Sequence, residues 1–137
     1  MAAEQGSRFV MGTRYQVVHA PFQAVCSSRI TYDDGALRIA GCDRHDSVIA
    51  EVRFEDPLSV SISEEGTRLR SLQALGGIVG SIVKDTASEL LAWLDAEALG
   101  TRDMANAQHF IVRIGEEIVD VICFTDPVVM LEVRCDS

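Results

Sequence analysis

The residues able to do chemistry in this chain are few and scattered, with three histidines and four cysteines in 137 positions. Cys42-Asp43-Arg44-His45-Asp46 carries a Cys-x-x-His spacing, and thiolate and imidazole are ligands that zinc favours. A structural zinc site takes four ligands, and the remaining candidates, Cys26, His19 and His109, form no second pair of defined spacing. The segment is therefore read as a polar turn, and neither a metal nor another cofactor is expected. For nucleophilic catalysis the chain has no Gly-x-Ser-x-Gly elbow, no cysteine-protease signature and no His-Glu-x-x-His helix. A Cys–His or Ser–His dyad would have to assemble in space, for instance from Cys123 and His109 on neighbouring strands. Cys123 stands within Val121-Ile122-Cys123-Phe124, surroundings in which a thiol is inert. No catalytic residue is assigned.

Paired carboxylates occur at Asp33-Asp34, Glu64-Glu65 and Glu116-Glu117, but general acid–base work needs a cleft and separated pKa values. All three pairs fall where turns are expected, which places them in solvent. Asp120 differs, because it interrupts the apolar run Ile118-Val119-Asp120-Val121-Ile122. Its expected position is the wet side of a one-sided sheet; burial would demand a donor such as Arg113. Leu75-Gly76-Gly77-Ile78-Val79-Gly80-Ser81 is rich in glycine but lacks the Gly-x-Gly-x-x-Gly spacing, and Lys84 is out of register for a phosphate loop. Gly76 and Gly80 on a continuous helix would instead form a groove for close packing.

The elements that position these groups follow from periodicity and turn chemistry. Arg8 to His19 suits a strand with a bulge at Gly12. Arg29 to Tyr32 and Ala36 to Ile39 flank Asp33-Asp34-Gly35, whose tolerance of positive φ predicts a type I′ hairpin. Ser47 to Glu55 and Leu58 to Ser63 alternate with period two, so each should have one packed and one wet face. Arg68 to Leu75 has helical spacing. Ile78 to Val83 either continues that helix past the glycines or leaves it. Thr86-Ala87-Ser88-Glu89 reads as a capping box, with Ala87, Leu90, Leu91, Leu94 and Ala98 as the buried stripe of a helix about 21 Å long ending at Gly100. Gln108 to Ile114, Glu117 to Phe124 and Val128 to Arg134 complete a three-strand meander. The expected fold is one α+β domain over residues 1–137: an antiparallel sheet of about seven to eight strands, with the two helices on one face.

Composition narrows the function. The 21 acidic and 12 basic side chains leave a formal charge of −9, the wrong sign for holding nucleic acid or an anionic membrane. Met1 to Gly6 lack the features of a secretory signal, and Leu75 to Val83 is far shorter than the roughly 20 apolar residues of a membrane span. Lys84 is the only lysine among 12 basic residues, which hints at a GC-rich bacterial genome, and unpaired cysteines suit the cytoplasm. The leading expectation is a non-catalytic protein that binds another protein, as an immunity protein, inhibitor or accessory factor, with a basic toxin or nuclease as partner. Ser59, Ser61 and Ser63, an uncharged strip, and the adjoining Glu64 and Glu65 are the candidate partner surface. That strip, or the glycine-bearing segment, would also serve homodimerisation. The alternative is a small-molecule binder or enzyme with a pocket between sheet and helices, walled by Trp93 and furnished by His109, Arg113 and Asp120.

Overall fold

The computed structural model describes residues 14–75 and 80–131. These form an α+β arrangement of two antiparallel sheets and two short helices. The strands are β1 Tyr15–His19, β2 Ser27–Asp33, β3 Ala36–Cys42, β4 Val48–Glu55, β5 Ser59–Glu64, β6 Ile82–Asp85, β7 Gln108–Ile114, β8 Glu117–Cys123 and β9 Val128–Leu131. Helix α1, Leu69–Leu75, precedes β6, and α2, Glu89–Glu97, precedes β7. Among the described residues no helix is long and apolar enough to cross a membrane.

Local chemistry accounts for much of this. Asp34 and Gly35 hold φ of 52° and 75°, the positive values a type I′ turn requires, and β2 and β3 pair outward from Asp33 opposite Ala36. In β4 the alternating residues Ala50, Val52 and Phe54 are buried. They belong to the smaller sheet, ordered β2-β3-β4-β9, which packs on the larger sheet, ordered β1-β6-β7-β8-β5. Leu37, Ile39, Val52 and Phe54 from one meet Ile82, Phe110, Val112, Val119 and Val121 from the other in a single core cluster. The Phe54 and Phe110 rings lie 5.8 Å apart and tilted by 48°. Each such side chain contributes about 1.5–3 kcal/mol by leaving water.

The α+β expectation holds, three of its details are corrected, and the alternative left open for Ile78 to Val83 is decided for Ile82 and Val83. There is a sandwich of two sheets with nine strands among the described residues, not one sheet of seven or eight. The C-terminal meander stops after β8: its second edge is taken by β5 over six paired positions, so the chain turns at buried Pro127 and β9 joins β4 in the other sheet. Ile82 and Val83 do not extend α1 but begin β6, between β1 and β7. Gly80 makes that reversal, with φ of 75° and a backbone so close to Phe22 that an added Cβ would sit 2.7 Å from its carbonyl carbon. Finally, α2 spans nine residues, its N-cap is Ser88 rather than Thr86, and none of its residues is buried. Leu99 and Gly100 both take positive φ beyond its end. Of the expected Arg8 to His19 strand, the part before Arg14 with its Gly12 bulge lies outside the described residues, as do Gly76, Gly77, Ile78 and Val79 and the part of the Val128 to Arg134 strand beyond Leu131.

Candidate functional site

The larger sheet has an inner face toward the smaller sheet and an outer face toward the helices. The outer face is divided by its chemistry. Beneath α1 it is apolar, where Leu75, Val83, Ile111 and Ile118 cluster with Leu72 and Tyr15 packed alongside. Next to that patch it becomes polar, and all five strands contribute. Tyr15 on β1 stands opposite Asp85 on β6, which stands opposite His109 on β7. Ser61 on β5 stands opposite Asp120 on β8, one diagonal step from His109. These five side chains form the floor of a cleft of about 320 Å³ between the helices, with Arg68, Leu75 and Leu90 in its walls.

The floor is tied together by hydrogen bonds. Arg14 grips Asp85 with two of them, Nε to Oδ1 at 2.9 Å and Nη2 to Oδ2 at 3.1 Å, and its guanidinium lies 4.9 Å from the Tyr15 ring centroid. The Ala87 amide donates to Asp85 Oδ1 at 3.0 Å. His109 Nε2 is 2.8 Å from Asp120 Oδ1, and Arg68 Nη1 donates to Asp120 Oδ2 at 2.7 Å. On the other side of the imidazole, Nδ1 lies 2.6 Å from Ser88 Oγ, which also accepts from the Leu91 amide at 2.9 Å. An ionised carboxylate can only accept, so in the neutral ring the proton sits on Nε2 and Nδ1 receives the serine hydroxyl.

Electrostatics follow from these contacts. Burial acts to raise the Asp120 carboxyl, but the hydrogen bonds from His109 and Arg68, with the Arg68 charge, outweigh it and hold the group below its ordinary value. The bond to Asp85 raises Arg14 further above its already high value, and burial raises Tyr15. Asp85, His109 and Asp120 direct their polar atoms to Arg14, Arg68, Ser88 and one another. Among the described residues no group of three or more His, Cys, Asp or Glu side chains is placed to hold a metal ion.

The structure brings together only part of the expected pocket. His109 and Asp120 meet in it. Asp120 is buried, contrary to the expectation of solvent, because α1 and the turn before it cover this face, and its donors are His109 and Arg68 rather than Arg113. Arg113 is also buried but turns to Glu65 at 3.3 Å, away from the cleft. Trp93 is no wall: it is 57% exposed on α2, since the polar floor offers that helix no apolar seat. Cys123 points to the inter-sheet core, on the face opposite His109, where burial pushes its thiol up to about 11. Cys42 is buried while His45 is exposed, so the Cys-x-x-His spacing does not converge.

The serine strip is real but faces the cleft. Ser61 lies on the floor and Ser63 accepts from Arg68 at 3.2 Å. Ser59 is half-buried. β5 is an edge strand, so Val60 and Ile62 on its other side stay 37% and 51% exposed and the expected packed face is absent. Glu64 is exposed beside half-buried Glu65. Sequence reasoning missed Arg14, Tyr15, Arg68, Asp85 and Ser88. The only local signal for them is the capping segment, whose cap is Ser88, two residues after Thr86.

No family profile and no curated protein matches this chain. A crystal structure of an uncharacterized protein from Neisseria gonorrhoeae is similar over 85% of this chain and 97% of that one, at 10% identity and a TM-score of 0.46.

Proposed function

We propose that this chain binds a small polar molecule in the cleft between α1, α2 and the larger sheet. One observation carries the reading: five strands each place a hydrogen-bonding side chain on one floor, where an ordinary sheet face under helices would be apolar. The floor charges pair as Arg14 with Asp85 and Arg68 with Asp120, and Glu89 in the lining adds one carboxylate, so a zwitterionic or amine-bearing occupant rich in donors and acceptors fits. Leu75, Leu90 and Ile111 supply the apolar contact. We take the protein to be bacterial and cytoplasmic, readings supported by its arginine-dominated basic residues and by free thiols at Cys26, Cys42 and Cys123. Titrating ¹⁵N-labelled protein with free amino acids and with small polyols tests the cleft. The amides of Tyr15, Ser61, Asp85 and Asp120 should shift together with one affinity. If no probe moves them at millimolar concentration, the reading is wrong.

A second reading, binding to a basic protein such as a toxin or nuclease, is favoured by one feature. Glu64 stands directly opposite Glu117, and the Glu65 amide bonds the Glu116 carbonyl at 2.9 Å, which gathers four acidic residues at one end of the larger sheet, where Arg113 pairs with Glu65 alone. Like charges facing across strands cost stability, and a cationic partner would relieve that cost. Affinity capture at low salt from the native organism, with wild type and with Glu64→Lys combined with Glu65→Lys, tests it. A basic protein retained equally by both would remove this surface from recognition.

A further inference from the structure

We propose that Ser88 is a nucleophile, activated by His109 and oriented through Asp120, that cleaves short-chain carboxylic esters. The hydrogen bonds run in one direction. Ser88 Oγ accepts from the Leu91 amide at 2.9 Å and, with the neutral ring protonated on Nε2, donates to His109 Nδ1 at 2.6 Å. His109 Nε2 donates a hydrogen bond to Asp120 Oδ1 at 2.8 Å, and Arg68 holds the second carboxylate oxygen at 2.7 Å. This is the Ser–His–Asp arrangement with the two ring nitrogens exchanged, and it is recognised by geometry and not by sequence order. A plain N-cap would be served equally by aspartate or asparagine. Here the hydroxyl both caps the helix and donates to an imidazole that is only 5% exposed.

Access comes from a second groove of about 550 Å³, which meets the cleft at Asp85, whose Oδ2 is 3.7 Å from His109 Nδ1, and which Ser88 lines together with Lys84, Leu91, Ala107, Gln108 and Phe124. Leu91, Ala107 and Phe124 suit a short acyl chain, and Lys84 and Gln108 suit the polar part of an ester. Ser88 Oγ attacks the carbonyl carbon as its proton passes to His109 Nδ1, and Asp120 balances the imidazolium. The carbonyl pair moves onto oxygen. Glu89 and Leu90, whose amides precede the first intrahelical bond from Ala92 to Ser88, provide donors at that end of α2. Collapse breaks the bond to the alcohol oxygen, which takes the proton back from His109. Water then attacks the acyl-serine by the same route, releasing the carboxylic acid and restoring the hydroxyl.

The inference goes beyond the binding cleft, sharing His109 and Asp120 with it but using another opening. A fluorophosphonate serine probe and p-nitrophenyl butyrate test it, with peptide mapping by mass spectrometry. Wild type should be labelled once, at Ser88, and should hydrolyse the ester. Ser88→Asn keeps an acceptor for Leu91 and a donor for His109 but no nucleophile, so it should fold, take no label and lose at least about 100-fold in hydrolysis. His109→Gln should slow labelling by a similar factor. Asp120→Asn should lower the labelling rate at saturating probe and leave the half-saturating concentration unchanged, which a general loss of structure would not do. If His109→Gln does not fold, Asp120→Asn decides in its place. No label on wild type, label elsewhere, or an undiminished rate in the folded variants would overturn the proposal. Amide shifts at Tyr15 and Ser61 on adding the cleft probes to Ser88→Asn report the cleft separately, so either idea can fail alone.

Discussion

Replacing Arg68 by methionine isolates the contact on which the polar floor depends most. Its Nη1 lies 2.7 Å from Asp120 Oδ2, with the arginine side chain 26% exposed and the carboxylate only 5%. A hydrogen bond to a charged group contributes about 1.5–3 kcal/mol, whereas truncating one member of a fully buried pair costs about 3–5 kcal/mol. Arg68 is partly solvated and His109 still serves the carboxylate, so the lower range applies and about 2 kcal/mol is expected. For a chain of 137 residues the unfolding entropy is about 290 cal/mol/K, which turns that loss into a Tm drop of about 7 °C.

The effect must also depend on pH with a definite sign. Asp120 is held below its ordinary value of 3.8, so its stabilising contribution is complete above that value and disappears as pH falls through the folded-state value. Without Arg68 the carboxyl titrates higher, so the variant has less pH-dependent stability to lose, and the wild type goes on losing stability at acidities where the variant's loss has ended. The gap between the two proteins should therefore be full at pH 7 and close as the medium becomes acid enough to protonate Asp120 in both. Urea unfolding from neutral to acid pH reads this directly. Arg68 also reaches Ser63 and Ser71, and a double-mutant cycle with Asp120→Asn separates the ion pair from those bonds. Equal midpoints at pH 7, a gap that stays constant toward acid, or a coupling energy near zero would refute the reasoning.

Gly80→Ala combines a left-handed backbone with a Cβ 2.7 Å from the Phe22 carbonyl carbon, and should cost at least about 2 kcal/mol in urea unfolding; a loss below about 0.5 kcal/mol would show that the close approach is not needed. In a Cys135→Ser background, iodoacetamide at pH 8 should modify exposed Cys26 and spare Cys123, whose thiol at about 11 is ionised in only about one molecule in a thousand. Equal modification rates, read by peptide mass mapping, would contradict that burial. Trp93→Ala should change stability by less than about 0.5 kcal/mol, because the side chain is 57% exposed. A Tm drop of many degrees would mean that Trp93 packs on the sheet after all.

Where the information was local, the sequence was easy to read. The Asp34-Gly35 turn, the alternation of β4 and the β7–β8 hairpin around Gly115 each depend on a few neighbouring residues, and each is found in place. β6 was hidden because Ile82 to Asp85 is too short to show a period and follows apolar residues that also suit a helix. In α2, leucines at helical spacing predict a buried stripe only if an apolar surface receives them, and Asp85 and His109 line the adjoining cleft instead. Asp120 was misplaced for a related reason. A single polar residue in an apolar strand looks like a wet-face position until its partners are known, and one of them, Arg68, is 52 residues away.

Turn geometry and strand periodicity are properties of adjacent residues, so the chain alone determined an antiparallel, β-rich α+β protein, its principal hairpins and its acidic character. Tertiary structure decided that β9 leaves its hairpin for β4, that the sheets stack, and that Arg14 meets Asp85 across 71 residues. It also decided that Ser88, His109 and Asp120 lie within hydrogen-bond distance of one another in a row. Such contacts are fixed by which strand edge is already occupied and which buried charge needs a partner, and both are settled only when distant segments compete for the same surface.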